Sequence, residues 1–198
     1  MSLPDVDIDF ADRTLAVALF DTAVSASQVG PHRTLTRHPS GMHFQNIPVD
    51  PITGLSAFPY EDAERLGYYK LDFLSNSVYT GVKGVDHLDA ILARPVDWAW
   101  FTDPKFVGTL FHFGGRVDRN RTMADVVASY APTSVDDLAV LIAIKLPAKR
   151  HLIGRPWPEV RSRIWEKDPQ GRPQFKKSHS FAYAYAVVVD AHLKKEQT

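Results

Sequence analysis

The residues best suited to chemistry lie near the start of the chain. Residues 3–10 read LPDVDIDF, in which Asp5, Asp7 and Asp9 alternate with Val6, Ile8 and Phe10. A strand has a side-chain period of two, so this spacing sets three carboxylates on one face and three apolar groups on the other. Asp is a poor strand former, and like charges side by side repel. Two readings fit. One is an exposed edge strand whose charges block aggregation. The other is a seat for hard cations, since Mg²⁺ binds through one or two carboxylates plus substrate phosphates.

A second stretch bears on the choice. Residues 68–74, YYKLDFL, alternate again, with Tyr68, Lys70 and Asp72 on one face and Tyr69, Leu71 and Phe73 on the other. If the two strands pair, Asp72 stands beside Asp5 and Asp7, and one surface carries three carboxylates and a lysine. In-line phosphoryl transfer with two metals uses carboxylates that hold ions about 3.5–4 Å apart. A lysine adds a point charge for a triphosphate. On these residues alone, a structural role and metal-assisted nucleotidyl transfer both remain open.

The rest of the chain must position these groups. Val6–Phe10 reads as a strand, residues 15–25 (LAVALFDTAVS) as a helix, and residues 30–41 (GPHRTLTRHPSG) as a basic loop punctuated by Gly and Pro. Three prolines make residues 43–59 irregular or short-stranded, residues 61–66 allow one or two helical turns, and residues 76–92 read as helix. Thr122 with Asp125, and Ser134 with Asp137, have the hydroxyl-to-acid spacing of a helix start. The second leads into LAVLIAIKL, which Pro147 stops. Residues 158–167 form a polar helix with Pro158 near its start, and 178–194 a buried helix.

Composition narrows the class. The chain has 198 residues, 44% hydrophobic and 23% charged, which suits one globular domain with a real core and at most a small appendage. Lys+Arg and Asp+Glu balance at 23 each, which argues against autonomous binding to nucleic acid but leaves room for a local basic groove. There is no cysteine, and the eight histidines form no helical His-x-x-x-His pair, so a structural zinc is not expected. The first ten residues lack the layout of a signal peptide, and the longest apolar run, 181–189, is far too short for a membrane span. These features predict a cytoplasmic protein without a membrane.

The motifs, taken in order, resemble those of the bacterial C-family replicative DNA polymerases, the DNA polymerase III alpha subunits. PDVDIDF is similar to the family's first acidic palm motif. GPHRTLTRHPSG resembles its basic loop ending in His-Pro-Gly-Gly or His-Ala-Gly-Gly, and GYYKLDFLS its second acidic strand. TLFHFGGR looks like a degraded Val-Phe-Gln-Leu-Glu-Ser segment, and SVDDLAVLIAIKLP sits where the family has a helix leading to Arg-Pro-Gly-Pro. FKKSHSFAYAYA is very close to its fingers helix, Phe-Asn-Lys-Ser-His-Ser-x-Ala-Tyr-Ala. The matches run from one end of the chain to the other.

The resemblance implies an α/β (α+β) fold. Residues 1–113 would form a palm-like catalytic core, a mixed polymerase-beta-like sheet with helices on one face. Residues 114–198 would form a reduced, helical fingers element. Asp5, Asp7 and Asp72 would be the catalytic acids holding two Mg²⁺ ions, one at the primer 3′-hydroxyl and one at the triphosphate. Lys70 would meet the nucleotide phosphates, and Lys177, His179 and Tyr183, placed on one side of the fingers helix, the incoming nucleotide. Arg33 and His38 would lie near the palm, and Arg116 in the Arg116, Arg119, Arg121 cluster would reach DNA phosphates.

The chain departs from the family in scale. Only about sixty residues separate Asp7 from Asp72, Leu146-Pro-Ala-Lys149 replaces Arg-Pro-Gly-Pro, and the family's upstream triphosphate-binding segment and thumb have no match. These departures imply a split DNA polymerase acting on a primer–template and dNTPs. A second polymerase or replisome subunit would supply the missing parts, in a bacterial or phage-infected cell. Two alternatives remain: a palm-derived module that binds or inhibits a replisome without catalysis, and a small nucleotidyltransferase with another acceptor. Taken without the resemblance, Lys177 and His179 read as a solvated helix start, Tyr183 as a core residue and the arginine cluster as a solvated face.

Overall fold

A computed structural model describes residues 6–197, so the expectation for Asp5 lies outside the described residues. The chain divides into two compact units between Gly81 and Val82. The sequence places that boundary after residue 113. Residues 82–113 go with the helices because Phe101, Val107, Leu110 and Phe113 are buried in the helical core.

The first unit runs β1 (Val6–Phe10), α1 (Arg13–Val17), β2 (Val24–Val29), β3 (Leu35–His43), α2 (Tyr60–Arg65) and β4 (Leu71–Ser75). Its four strands form one mixed sheet in the order β1-β4-β3-β2. β1 and β4 are parallel, and the other two pairings are antiparallel. The apolar half of each alternating strand builds a small core on one face: Phe73 and Met42 are buried against Ala16 of α1, with Ile8, Phe10, Phe44 and Leu71 around them. Lys70 and Asp72 alternate with that set. There α2 contributes Tyr60, whose ring stands 5.1 Å from the His38 ring and 5.4 Å from the Lys70 ammonium.

Two expectations change here. The helix anticipated over 15–25 is only the short α1, capped by the Asp12 carboxylate, which accepts from Thr14 N at 2.8 Å. Val24–Val29 is instead a strand, because pairing with β3 buries Ser25, Ala26 and Ser27. Such long-range pairing overrides a local helical pattern. The basic loop is likewise mostly strand: the turn occupies only Pro31–Arg33, and β3 follows from Leu35. One stretch of β3 does leave the ladder. Between the pairs Ser25↔Met42 and Ser27↔Arg37, β2 places Ala26 alone against His38, Pro39, Ser40 and Gly41. A bulge tolerates proline, which has no N–H to donate, and re-aims the side chains it carries.

The second unit runs α3 (Val85–Leu92), α4 (Pro104–Val107), α5 (Met123–Tyr130), α6 (Val135–Ile144), α7 (Trp157–Arg163) and α8 (Lys177–Glu196). α6 is buried continuously from Asp137 to Ile144 and α8 from Ala186 to Leu193, and the two pack together. Both predicted helix starts form. Thr122 and Asp125 make a reciprocal capping box. Ser134 Oγ accepts from Asp137 N at 3.1 Å, while the Asp137 carboxylate turns to Thr133 N (2.9 Å) and pairs with Arg161. Among the described residues, no helix is long and apolar enough to cross a membrane.

Candidate active site

β4 lies between β1 and β3, so Asp72 has a neighbour on each side. Asp7 is its register partner on β1, and Gly41 its partner on β3. Directly opposed residues on paired strands share a face of the sheet. Asp9 falls further along, opposite Leu74. Its charge, after burial, helps push the Tyr79 hydroxyl up.

The Asp72 carboxylate is held at both oxygens. Ser40 Oγ donates to Oδ1 at 2.6 Å, and the Lys70 ammonium pairs with Oδ2. Lys70 and Asp72 are both deeply enclosed, their side chains 5% and 14% exposed. The lysine stem occupies a slot that exists because residue 41 is glycine: a Cβ there would come within 2.6 Å of Lys70 Cδ and 2.9 Å of His38 Nδ1. Tyr60 stands over the ammonium in a cation–π placement.

His38 closes the bulge on itself. Its Nδ1 accepts from Gly41 N at 2.8 Å and Ser40 N at 3.3 Å, so that nitrogen carries no proton. The 3.6 Å approach of Nδ1 to Asp72 Oδ1 is therefore a meeting of two acceptors, not an ion pair. Burial, then the Lys70 ammonium, pushes the imidazole below its ordinary value, which keeps it neutral. From α1, the Arg13 guanidinium donates to the Pro39 and Ser40 carbonyls and fixes the bulge.

The remaining expected residues fall elsewhere. Arg33 is exposed at the β2–β3 turn, where it and His32 both take positive φ (59° and 58°). The Arg116 guanidinium donates to the carbonyls of Arg119 and Asp118, and Arg121 pairs with Asp118 at 2.8 Å, so this cluster ties its own turn together. Lys177, His179 and Tyr183 belong to α8 of the second unit. They do not form a single stripe. At 3.6 residues per turn, Lys177 aligns with Phe181 and stands roughly opposite His179. Its ammonium lies 5.7 Å from the Phe181 ring and 6.0 Å from Trp165, whereas Tyr183 packs on His112, Phe175 and Phe111.

Sequence reasoning missed Ser40, Gly41, Tyr60 and Arg13. For Ser40 and Gly41 the signal was the His-Pro-Ser-Gly stretch, read as a loop end and not as a bulge aimed at Asp72.

Among the described residues, no three His, Cys, Asp or Glu side chains gather at one point to hold a metal ion. The two donors that meet still suit a hard cation: the Asp72 carboxylate and the Ser40 hydroxyl supply oxygen only. No protein-family model and no curated protein matches the chain.

Proposed function

We propose that this chain is the catalytic part of a DNA-directed DNA polymerase, joining a dNTP to a primer 3′-hydroxyl with a partner subunit that helps hold the DNA. The observation that carries the reading is the register pairing of Asp7 with Asp72 across two parallel strands. That register aligns the backbones of the two stretches that resemble the acidic motifs of the C-family polymerases. Mg²⁺ bound there would lower the barrier by neutralising charge on the triphosphate and the attacking oxygen. Asp72 offers its carboxylate, Lys70 fixes that carboxylate and adds positive charge beside it, and Arg13 and His38 keep the bulge in place. The fixed geometry supports catalysis because preorganised charge needs no rearrangement when the reaction occurs.

The test is primer extension with Mg²⁺, four dNTPs and a primed template, with and without bacterial or phage replisome fractions. Extension that requires the chain and vanishes in Asp7→Asn supports the reading. Extension unchanged in Asp7→Asn and Asp72→Asn contradicts it. One observation favours a second reading. Lys70 already pairs with Asp72, a contact that a palm-derived binding or inhibitory module could keep with no ion bound. That reading expects Asp7→Asn to leave replisome binding intact while no nucleotide is incorporated by the wild type.

A further inference from the structure

The surroundings of Asp72 restrict where an ion can sit. Oδ2 faces the Lys70 ammonium, which has no lone pair to offer and is packed into the slot beside Gly41. His38 Nδ1 has its lone pair committed to the amides of Ser40 and Gly41. That leaves Oδ1, and the donor beside it is the Ser40 hydroxyl at 2.6 Å. A hydroxyl is a hard neutral oxygen of the kind that ligates Mg²⁺ in phosphate-binding loops. Two neighbouring ligands of an octahedral Mg²⁺, each about 2.05 Å from the ion, stand about 2.9 Å apart. Ser40 Oγ and Asp72 Oδ1 need to part by only a few tenths of an ångström to meet that spacing. The four-residue bulge puts Ser40 there, and Arg13 holds its carbonyl from behind.

We infer that Ser40 is a metal ligand: its hydroxyl oxygen takes the octahedral position next to Asp72 Oδ1, and the present hydrogen bond is the placeholder for that ion. The inference rests on the phosphoryl-transfer reading of the same site. It also separates this chain from the family it resembles, whose loop carries glycine at this place.

Mn²⁺ binding to the full chain tests it, followed by electron paramagnetic resonance and water-proton relaxation, with Asp72→Asn as control. Ser40→Ala is expected to bind Mn²⁺ about tenfold more weakly, the lower end of losses seen when groups supporting a metal are removed. The bound ion should gain one exchangeable water. Ser40→Thr, which keeps the hydroxyl, is expected to restore affinity and water number. Ser40→Cys covers the case in which alanine disturbs folding. The chain has no cysteine, so a thiolate-to-metal charge-transfer band on adding Cd²⁺ would come from position 40 alone. That variant is expected to prefer Cd²⁺ over Mn²⁺, as thiolates select softer ions.

Unchanged Mn²⁺ affinity and water number in Ser40→Ala, or no Cd²⁺ band in Ser40→Cys, overturns the inference while leaving the acids' role standing. Failure of the wild type to bind Mn²⁺, or binding unaffected by Asp72→Asn, overturns the phosphoryl-transfer reading and this inference with it.

Discussion

The two units treat buried charge differently. In the helical unit, charged side chains are tied to the backbone. Lys149 donates to the carbonyls of Arg163 and Glu166, and Asp190 accepts from Phe111 N at 2.8 Å and pairs with Lys194. Asp168 accepts from the guanidinium and then the amide of Arg172, which hold its carboxyl well down, at about 2. Each closes a turn or a helix end. In the sheet unit, the partners of the Asp72 carboxylate among the described residues are two side chains, Ser40 and Lys70. A carboxylate locked to amides is part of the scaffold. Asp72, held by side chains alone, is the carboxylate that the proposed function assigns to an ion.

The cores differ to match. α6 and α8 join a large apolar cluster that includes Leu138, Leu141, Ile142 and Val187. The sheet has a small core around Phe73 and Met42, and leaves Leu15, Leu19 and Ile52 mostly exposed.

The sharpest way to break the comparison is Lys70→Met. It leaves the Asp72 charge enclosed without its cation, a change expected to cost about 3–5 kcal/mol. Amide exchange should lose protection across β1, β3 and β4 but not in α6 and α8. Added Mg²⁺ should return part of it if an ion can replace the lysine. Equal loss in both units would erase the distinction. Next in size is Leu141→Ala, which opens a cavity in the helical core at a cost of about 2–5 kcal/mol. Calorimetry should show it, and Mn²⁺ binding at the sheet should be unaffected.

Acid pH should act on the helical unit through His112. Burial, then the Lys145 ammonium, lowers its pKa from 6.5 to about 4. As pH falls below 6.5, the unfolded chain takes up this proton before the folded one. The stability this group contributes is therefore lost between about 6.5 and about 4. An NMR titration of the imidazole should give the lower value. His112→Asn, which tolerates the positive φ of 63°, should flatten that part of the stability profile. The smallest effect expected is that of Ser134→Ala, which removes the α6 cap for about 1 kcal/mol by denaturant unfolding.

Much of this was legible in the sequence for physical reasons. Two strands with a strict period of two, Val6–Phe10 and Leu71–Ser75, declared which residues face alike, and their pairing set Asp7 against Asp72. Both helix starts were legible because a cap is a local hydrogen bond. β2 and most of β3 were hidden because their pairing depends on residues far along the chain. Ser40 was hidden for a sharper reason. A bulge that sets four residues against Ala26 breaks the period from which facing is read. The grouping of Lys177 with Tyr183 failed on helix geometry, since six residues bring a side chain well away from its starting face.

The most direct test of the account is to locate the ion. Mn²⁺ added to isotope-labelled protein broadens the amide signals of residues near it. The account predicts that Asp7, Ser40, Gly41 and Asp72 broaden first, and that Asp72→Asn abolishes the effect at these positions. Broadening that begins at other acids, such as Asp118 or Asp136, and persists in Asp72→Asn would contradict it.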